Sequence, residues 1–211
     1  DLVKKFRPAN VMIIAMDPFT GEVLGMASYP NFNPNEYNKA SKESFKNRCI
    51  KDTFEPGSVF KIVTASAVME DGAVRPDDKI FCENGEYAVG KRILHDYHPY
   101  GTLTFQEVIE KSSNIGVAKA AAKVGRDRMY YHIKRFGFGS KRGIDLPAEE
   151  QGILRNKSSW TDSDMTTIPM GQGISVTALQ LATAVSVVAN GGSMVRPYVV
   201  KCITDKEGNA L

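Results

Sequence analysis

The chain has 211 residues, 42% hydrophobic and 24% charged, with a formal net charge of +3. That is the composition of a soluble globular protein with room for a real core. Opposite charges neighbour one another, and no Lys/Arg run is interleaved with aromatics, which excludes a nucleic-acid-binding protein. No apolar run reaches the roughly 18 residues of a membrane span, and no signal-peptide pattern is read in these residues. Cys49, Cys82 and Cys202 lie far apart and form no Cys-x-x-Cys unit, so one disulfide plus a thiol and three free thiols fit equally. The chain starts without Met, inside an element already under way, as expected of a piece of a longer protein.

Val11–Met16 and Glu22–Ala27 are strand-like runs joined by Asp17-Pro-Phe-Thr-Gly21, which predicts a hairpin over about 11–28. The first run is apolar throughout and predicts a sheet covered on both faces. Residues 29–57 carry no sustained period and read as a long surface connection. A helix is expected from Ser58 to about 70. An irregular excursion follows to Gly101, and its His-Asp-Tyr-His places His95 and His98 close together without enough partners to hold a metal. Thr104-Phe-Gln-Glu107 is a capping box opening a helix to about Lys111. Ser112-Ser113-Asn114 interrupts it; helices from Ile115 to Val124 and from about Asp127 to Arg135 follow. Thr177-Ala-Leu-Gln180 is a second capping box, whose helix is expected to carry Leu181, Ala184, Val185 and Val188 on one face. Asn190-Gly-Gly192 stops it, and a terminal strand is expected over about 197–204. The helical region thus spans about 104–192, with no internal repeat and no domain linker.

Two short patterns carry chemistry. In Phe54-Glu-Pro-Gly-Ser-Val-Phe-Lys61 a turn delivers Ser58 to a helix start, with Lys61 three residues on and on the same face. A serine hydroxyl needs a base to become a nucleophile, and a lysine can serve if burial disfavours its charge. Amides at the helix start sit where an oxyanion develops in acyl transfer. Alone this is weak, because Ser-x-x-Lys arises by chance about once in a chain this long. Ser112-x-Asn114, at a helix junction, can present a hydroxyl to relay a proton and an amide to bind a peptide group.

The ordered set Ser58-x-x-Lys61 then Ser112-x-Asn114 resembles that of penicillin-binding proteins and serine β-lactamases. The flanking residues Lys111-Ser-Ser-Asn-Ile-Gly116, Gly143-Ile-Asp-Leu-Pro147, Gly171-Gln-Gly-Ile-Ser-Val-Thr-Ala-Leu-Gln-Leu-Ala182 and Ala189-Asn-Gly-Gly192 are similar to the transpeptidase domain of class B penicillin-binding proteins. This group includes division, elongation and spore-cortex enzymes, and the resemblance runs from about Val11 to the end. It implies an α+β fold, an antiparallel sheet flanked by helices with a largely helical region, and no cofactor or metal. It also implies roles: Ser58 as nucleophile on the D-Ala-D-Ala end of a peptidoglycan stem peptide, Lys61 as base, Ser112 as proton relay and Asn114 as substrate ligand. β-Lactam antibiotics would acylate the same serine. A membrane glycosyltransferase is an implied partner, and the implied location is the extracytoplasmic face of the cell membrane, through an anchor outside these residues.

One departure is clear: the family's Lys-Thr-Gly or Lys-Ser-Gly motif does not occur in these residues. The expectation is therefore a partial domain lacking C-terminal sheet strands, inactive or nearly so by itself. Its bare sheet edge favours poor stability or aggregation. Two rivals within the fold are a D,D-carboxypeptidase and a β-lactamase, the latter needing a glutamate such as Glu149 or Glu150 against a deacylating water. A third is a non-catalytic scaffold, which would have no use for the Ser58–Lys61 pair.

Overall fold

The computed structural model describes residues 2–90 and 92–210. In chain order, α1 (Leu2–Phe6), β1 (Val11–Met16), β2 (Val23–Tyr29), α2 (Arg48–Lys51), β3 (Thr53–Phe54) and α3 (Lys61–Glu70) come first. β4 (Lys79–Phe81), β5 (Glu86–Val89), β6 (Arg92–His95) and β7 (Thr102–Thr104) follow. Then come α4 (Phe105–Glu110), α5 (Asn114–Val124), α6 (Arg126–Arg135), α7 (Asp162–Thr167), β8 (Val176–Thr177) and α8 (Ala178–Ala189). Residues 1–53, 140–152 and 176–211 make one unit; residues 54–139 and 153–175 make the other.

In the first unit β1 and β2 pair antiparallel from Val11↔Tyr29 to Met16↔Val23, with a register shift at Ala15/Met16. Asp17 shapes the turn by accepting the Phe19 and Thr20 N–H groups. Met12, Ile14, Val23 and Met26 pack on a small core of Cys49, Ile50, Ile144 and Leu179. Ile13, on the opposite face of β1, is 50% exposed. The apolar run is thus covered on one face and not on both, because side chains alternate across a strand whatever their polarity.

α8 also differs from its expected face. Leu179, Gln180, Thr183, Ala184, Ser186 and Val187 are buried, whereas Val185 and Val188 are exposed. Polar residues can occupy the buried face because Thr183 and Ser186 donate to the carbonyls of Leu179 and Ala182, four residues back. Residues 197–204 form no strand; only isolated bridges occur, at Tyr198 with Glu22 and at Thr204 with Ala210. The N–H groups of Val199 and Val200, which a ladder would use, donate instead to the Asp145 carboxylate at 2.7 Å each. Asp145 belongs to the Gly143-Ile-Asp-Leu-Pro147 motif, so that motif ties down the chain after α8.

The second unit is built on a core of Val68, Val74, Ile80, Leu103, Phe105, Val108, Ile115, Val117 and Ala120. The stretch to Gly101 is more regular than its sequence suggests, since β4 pairs with β7 and β5 with β6, both antiparallel. Strands of three or four residues are too short for alternation to register. α4 is opened by the Thr104/Glu107 capping box. Gly125, at φ +79°, closes α5 and opens α6. Gly116 lets α5 meet α4: a Cβ there would lie 2.5 Å from a Val108 methyl. Among the described residues no helix is long and apolar enough to cross a membrane. Cys49 and Cys82 are buried free thiols, and Cys202 is an exposed one.

Candidate active site

The site lies in the second unit and begins with a turn. Gly57, at φ +58°, donates its N–H to the Gly171 carbonyl at 3.0 Å. A Cβ on Gly171 would fall 2.1 Å from the Gly57 carbonyl oxygen, so only glycine fits. Glu55 accepts the Gly173 N–H at 2.8 Å. Gly171-Gln-Gly173 is therefore the brace behind the turn that presents Ser58. Gly57–Phe60 form a 3-10 turn that runs directly into α3. Residues three apart in a helical turn lie on the same side of it, which is the relation of Ser58 to Lys61. Phe60 is buried against Phe138 at 5.1 Å, and Thr64 donates to the Pro169 carbonyl at 2.8 Å, so α3 is held from two sides. Ser58 is exposed.

Lys61 is 2% exposed. Its Nζ donates to Ser112 O at 2.5 Å, Ser112 Oγ at 2.9 Å and Asn114 Oδ1 at 2.8 Å. All three acceptors are neutral. Burial holds the amine well below the usual lysine value, at about 8, while the Asp96 charge pulls the other way. The structure thus joins Lys61, Ser112 and Asn114 by direct hydrogen bonds. Ser58 lies three residues before Lys61, and among the described residues no hydrogen bond joins its hydroxyl to this group.

Ser112 occupies an unusual position. The Ser113 N–H bonds to Val108 O and the Ser112 N–H to Ile109 O, the paired closure that ends many helices with a left-handed residue. Glycine normally fills that position, but here it is Ser112 at φ +56°. A side chain in this region costs about 1–2 kcal/mol, and what it delivers is a hydroxyl at the Lys61 amine. Ser113 then caps α5 by accepting the Gly116 N–H at 2.9 Å.

Asp96 belongs to no motif of the sequence. It follows β6, and its Oδ2 accepts the Ser113 hydroxyl at 2.6 Å while Oδ1 accepts the N–H groups of Asn114 and Ile115 at 2.6 and 3.1 Å. The neighbouring His95 uses its carbonyl to accept Asn114 Nδ2 at 2.9 Å. The His98 ring sits edge-on to Tyr97 and Tyr100. No spacing rule links a loop aspartate to a helix start 18 residues on, so only the residue type hinted at it. Glu149 and Glu150, considered for hydrolysis, are otherwise engaged. Glu149 is buried, with its oxygens accepting the Arg142 and Gly143 N–H groups, and Glu150 pairs with Lys51 at 3.3 Å. A cavity of about 630 Å³ in this unit is lined by Tyr87, Val89, Ala118, Lys119 and Met165 among others, and includes none of the four candidate residues.

An exposed serine three residues before a lysine whose charge burial disfavours, with a second hydroxyl on the amine, is an arrangement that suits acyl transfer. A family model described as the penicillin binding protein transpeptidase domain matches residues 11–210. The chain is 36% identical over 200 residues to stage V sporulation protein D of Bacillus subtilis, covering 93% of this chain and 31% of that protein. It is 34% identical to the peptidoglycan D,D-transpeptidase FtsI of Escherichia coli, over 85% of this chain and 30% of that protein. Penicillin binding protein 3 of Mycobacterium tuberculosis, solved with aztreonam, is similar with a TM-score of 0.91 and 33% identity, over 99% of this chain and 47% of that one. The chain spans about a third of the length of these curated relatives.

Proposed function

The chain belongs to the penicillin-binding protein transpeptidase domain family, with class B members as its relatives and their α+β fold, and we propose that it carries the acylation centre of a serine D,D-transpeptidase. Ser58 Oγ attacks the penultimate D-Ala carbonyl of a stem peptide. Lys61 Nζ takes the hydroxyl proton, and a tetrahedral oxyanion forms near the amides at the start of the Ser58 turn. The carbon–nitrogen bond then breaks; the proton passes from Lys61 through Ser112 Oγ to the departing amine, and D-Ala leaves. Asn114 orients the stem backbone. An amine from a neighbouring stem attacks the Ser58 ester, gives up its proton by the same route, and closes the crosslink. β-Lactams acylate Ser58 by ring opening at the equivalent carbonyl. Glycan strands for this crosslinking come from a separate glycosyltransferase, on the outer side of the cytoplasmic membrane.

The observation that carries the proposal is the Lys61 amine, sealed from solvent and hydrogen-bonded to both Ser112 and Asn114. The engagement of Glu149 by the Arg142 and Gly143 amides disfavours β-lactam hydrolysis. Because these residues hold no Lys-[Thr/Ser]-Gly, the 211 residues alone are expected to label weakly, and the test belongs to the full-length protein. There, fluorescent penicillin should label the wild type with a stable ester and leave Ser58→Ala unlabelled. Undiminished labelling of Ser58→Ala, or rapid turnover in place of a stable ester, would sink the proposal.

A further inference from the structure

We propose that Asp96 is a positioning residue of this centre, holding the Ser112–Asn114 turn so that its acceptors converge on Lys61. This rests on the function proposed above. Three donors from the turn and the start of α5 meet the one carboxylate: the Ser113 hydroxyl and the Asn114 and Ile115 N–H groups. The two N–H groups are ones that a helix leaves unpaired at its N-terminus, where a negative charge is favoured. The loop carrying Asp96 is itself fixed. Its N–H donates to Gly85 O at 3.0 Å, and Gly85, at φ +93°, lies so near Pro99 that a Cβ would approach the proline Cα to 2.9 Å.

The same loop sets the Asn114 amide. His95 O accepts from Nδ2, so Oδ1 is the atom left to face Lys61. Rotated the other way, the amide would present a donor to an ammonium donor. Backbone and side chain of Asn114 are therefore both held from residues 95 and 96, and Ser112 follows because it is the next residue but one.

Asp96 also has an electrostatic hold on the base. Of the charged groups on elements packed against α3, Lys119 of α5 is paired with Glu83, and Glu107 of α4 with Lys111. Arg128, His132 and Arg135 of α6 pair with Asp71 and Glu70 at the far end of α3. Among the described residues, Asp96 is the charge that bears on Lys61, favouring its protonated form.

Two variants of the full-length protein separate positioning from a merely structural role. Asp96→Asn keeps the size and one acceptor but removes the charge; Asp96→Ala removes the clamp. Two readouts are used: the titration of Lys61 in protein labelled at lysine Cε with carbon-13, assigned by its loss in Lys61→Arg, and the rate of acylation by fluorescent penicillin. In Asp96→Asn the Lys61 midpoint should move to lower pH than in the wild type, and the acid limb of acylation should move with it. In Asp96→Ala acylation should fall about 10²-fold, the scale of a misplacement near 1 Å. An unchanged Lys61 midpoint in Asp96→Asn overturns the proposal, whatever happens to Asp96→Ala, and so does wild-type acylation in both. A wild type that penicillin does not label would defeat the transpeptidase function, while the Lys61 titration would still decide the role of Asp96.

Discussion

α3 carries a charge at each end, and at both ends the sign is wrong for the helix dipole: a lysine at the start, Glu70 and Asp71 at the finish. The two misfits are resolved in opposite ways. At the finish the acids are matched. Asp71 accepts two bonds from Arg128, at 2.9 and 2.5 Å, and one from His132 at 3.0 Å, while Glu70 accepts from Arg135 at 2.5 Å. Arg128 and Arg135 both lie over the Tyr131 ring. Arg128 first, and then His132, hold the Asp71 carboxyl well below the usual carboxylate range. At the start the buried Lys61 meets neutral acceptors, and burial lowers its pKa to about 8. Charge matched by direct ion pairs serves stability, whereas a buried amine bonded only to neutral groups, with the Asp96 charge offsetting part of the burial, suits the proposed base. A perturbed group of this second kind is what a reaction centre needs.

Removing the amine at the start of the helix should change the chemistry most. Lys61→Met should reduce acylation of the full-length protein by about 10²–10⁴-fold, the usual share of a general base. Its melting temperature should change little, because the lost donor offsets the relief of a buried charge. The pH dependence has a definite sign. The folded amine titrates near 8, below its ordinary 10.5, so the unfolded chain binds more protons between those values. Lys61 therefore makes stability rise with pH across that window, with the penalty fully present below pH 8. Acylation should rise with pH along a limb centred near 8. A flat acylation profile from pH 6 to 9 would remove the base from the scheme.

Ser112→Gly comes next in size, and it breaks the same end from the other side. Acylation should fall about 10²-fold as the proposed hydroxyl relay is lost. Thermal stability should hold nearly constant. Glycine relieves about 1–2 kcal/mol of left-handed strain; against this stand about 0.5–1 kcal/mol of extra backbone freedom in the unfolded chain and one lost hydrogen bond. A large drop in melting temperature would mean that Ser112 is retained for folding, and acylation at the wild-type rate would leave the proton without its relay.

What the sequence disclosed, and what it hid, follows the same division. The short motifs of Ser58 and Lys61, and of Ser112 and Asn114, are legible because their spacing is local: three residues of a helical turn, or one helix junction. The capping boxes at Thr104 and Thr177 are legible for that reason too. Asp96 was not, because it acts on a helix start 18 positions away across strands too short to show a period. The exposure of Val185 and Val188 and the missing strand at 197–204 were hidden for a related reason. Which face of a helix is buried, and whether a backbone N–H meets a ladder or the Asp145 carboxylate, depends on residues distant in the chain. Glycine-rich 171–173 was legible as a motif, yet its task as a brace for Gly57 became visible only through the 3.0 Å bond between them.

The smallest effect on chemistry is expected at the finish of α3, and it completes the contrast. Asp71→Ala leaves Nε2 of the His132 ring, 1% exposed, without its partner, with Glu70 remaining 4.0 Å from Nδ1. A buried polar group stripped of its partner costs about 1–3 kcal/mol, so the melting temperature at pH 7 should drop by several degrees. Acylation should stay within twofold, since Lys61 lies ten residues away along the helix and its hydrogen bonds go to Ser112 and Asn114. The loss should also depend on pH in the direction opposite to that of Lys61. The folded Asp71 carboxyl titrates below its ordinary 3.8, so its contribution is complete above that value and fades as the pH falls through the folded one. Wild type and Asp71→Ala should therefore converge in strong acid and diverge towards neutrality. Equal melting temperatures at pH 7 would show that the matched end of α3 contributes nothing to stability, and that the two ends do not differ in the way their hydrogen bonds imply.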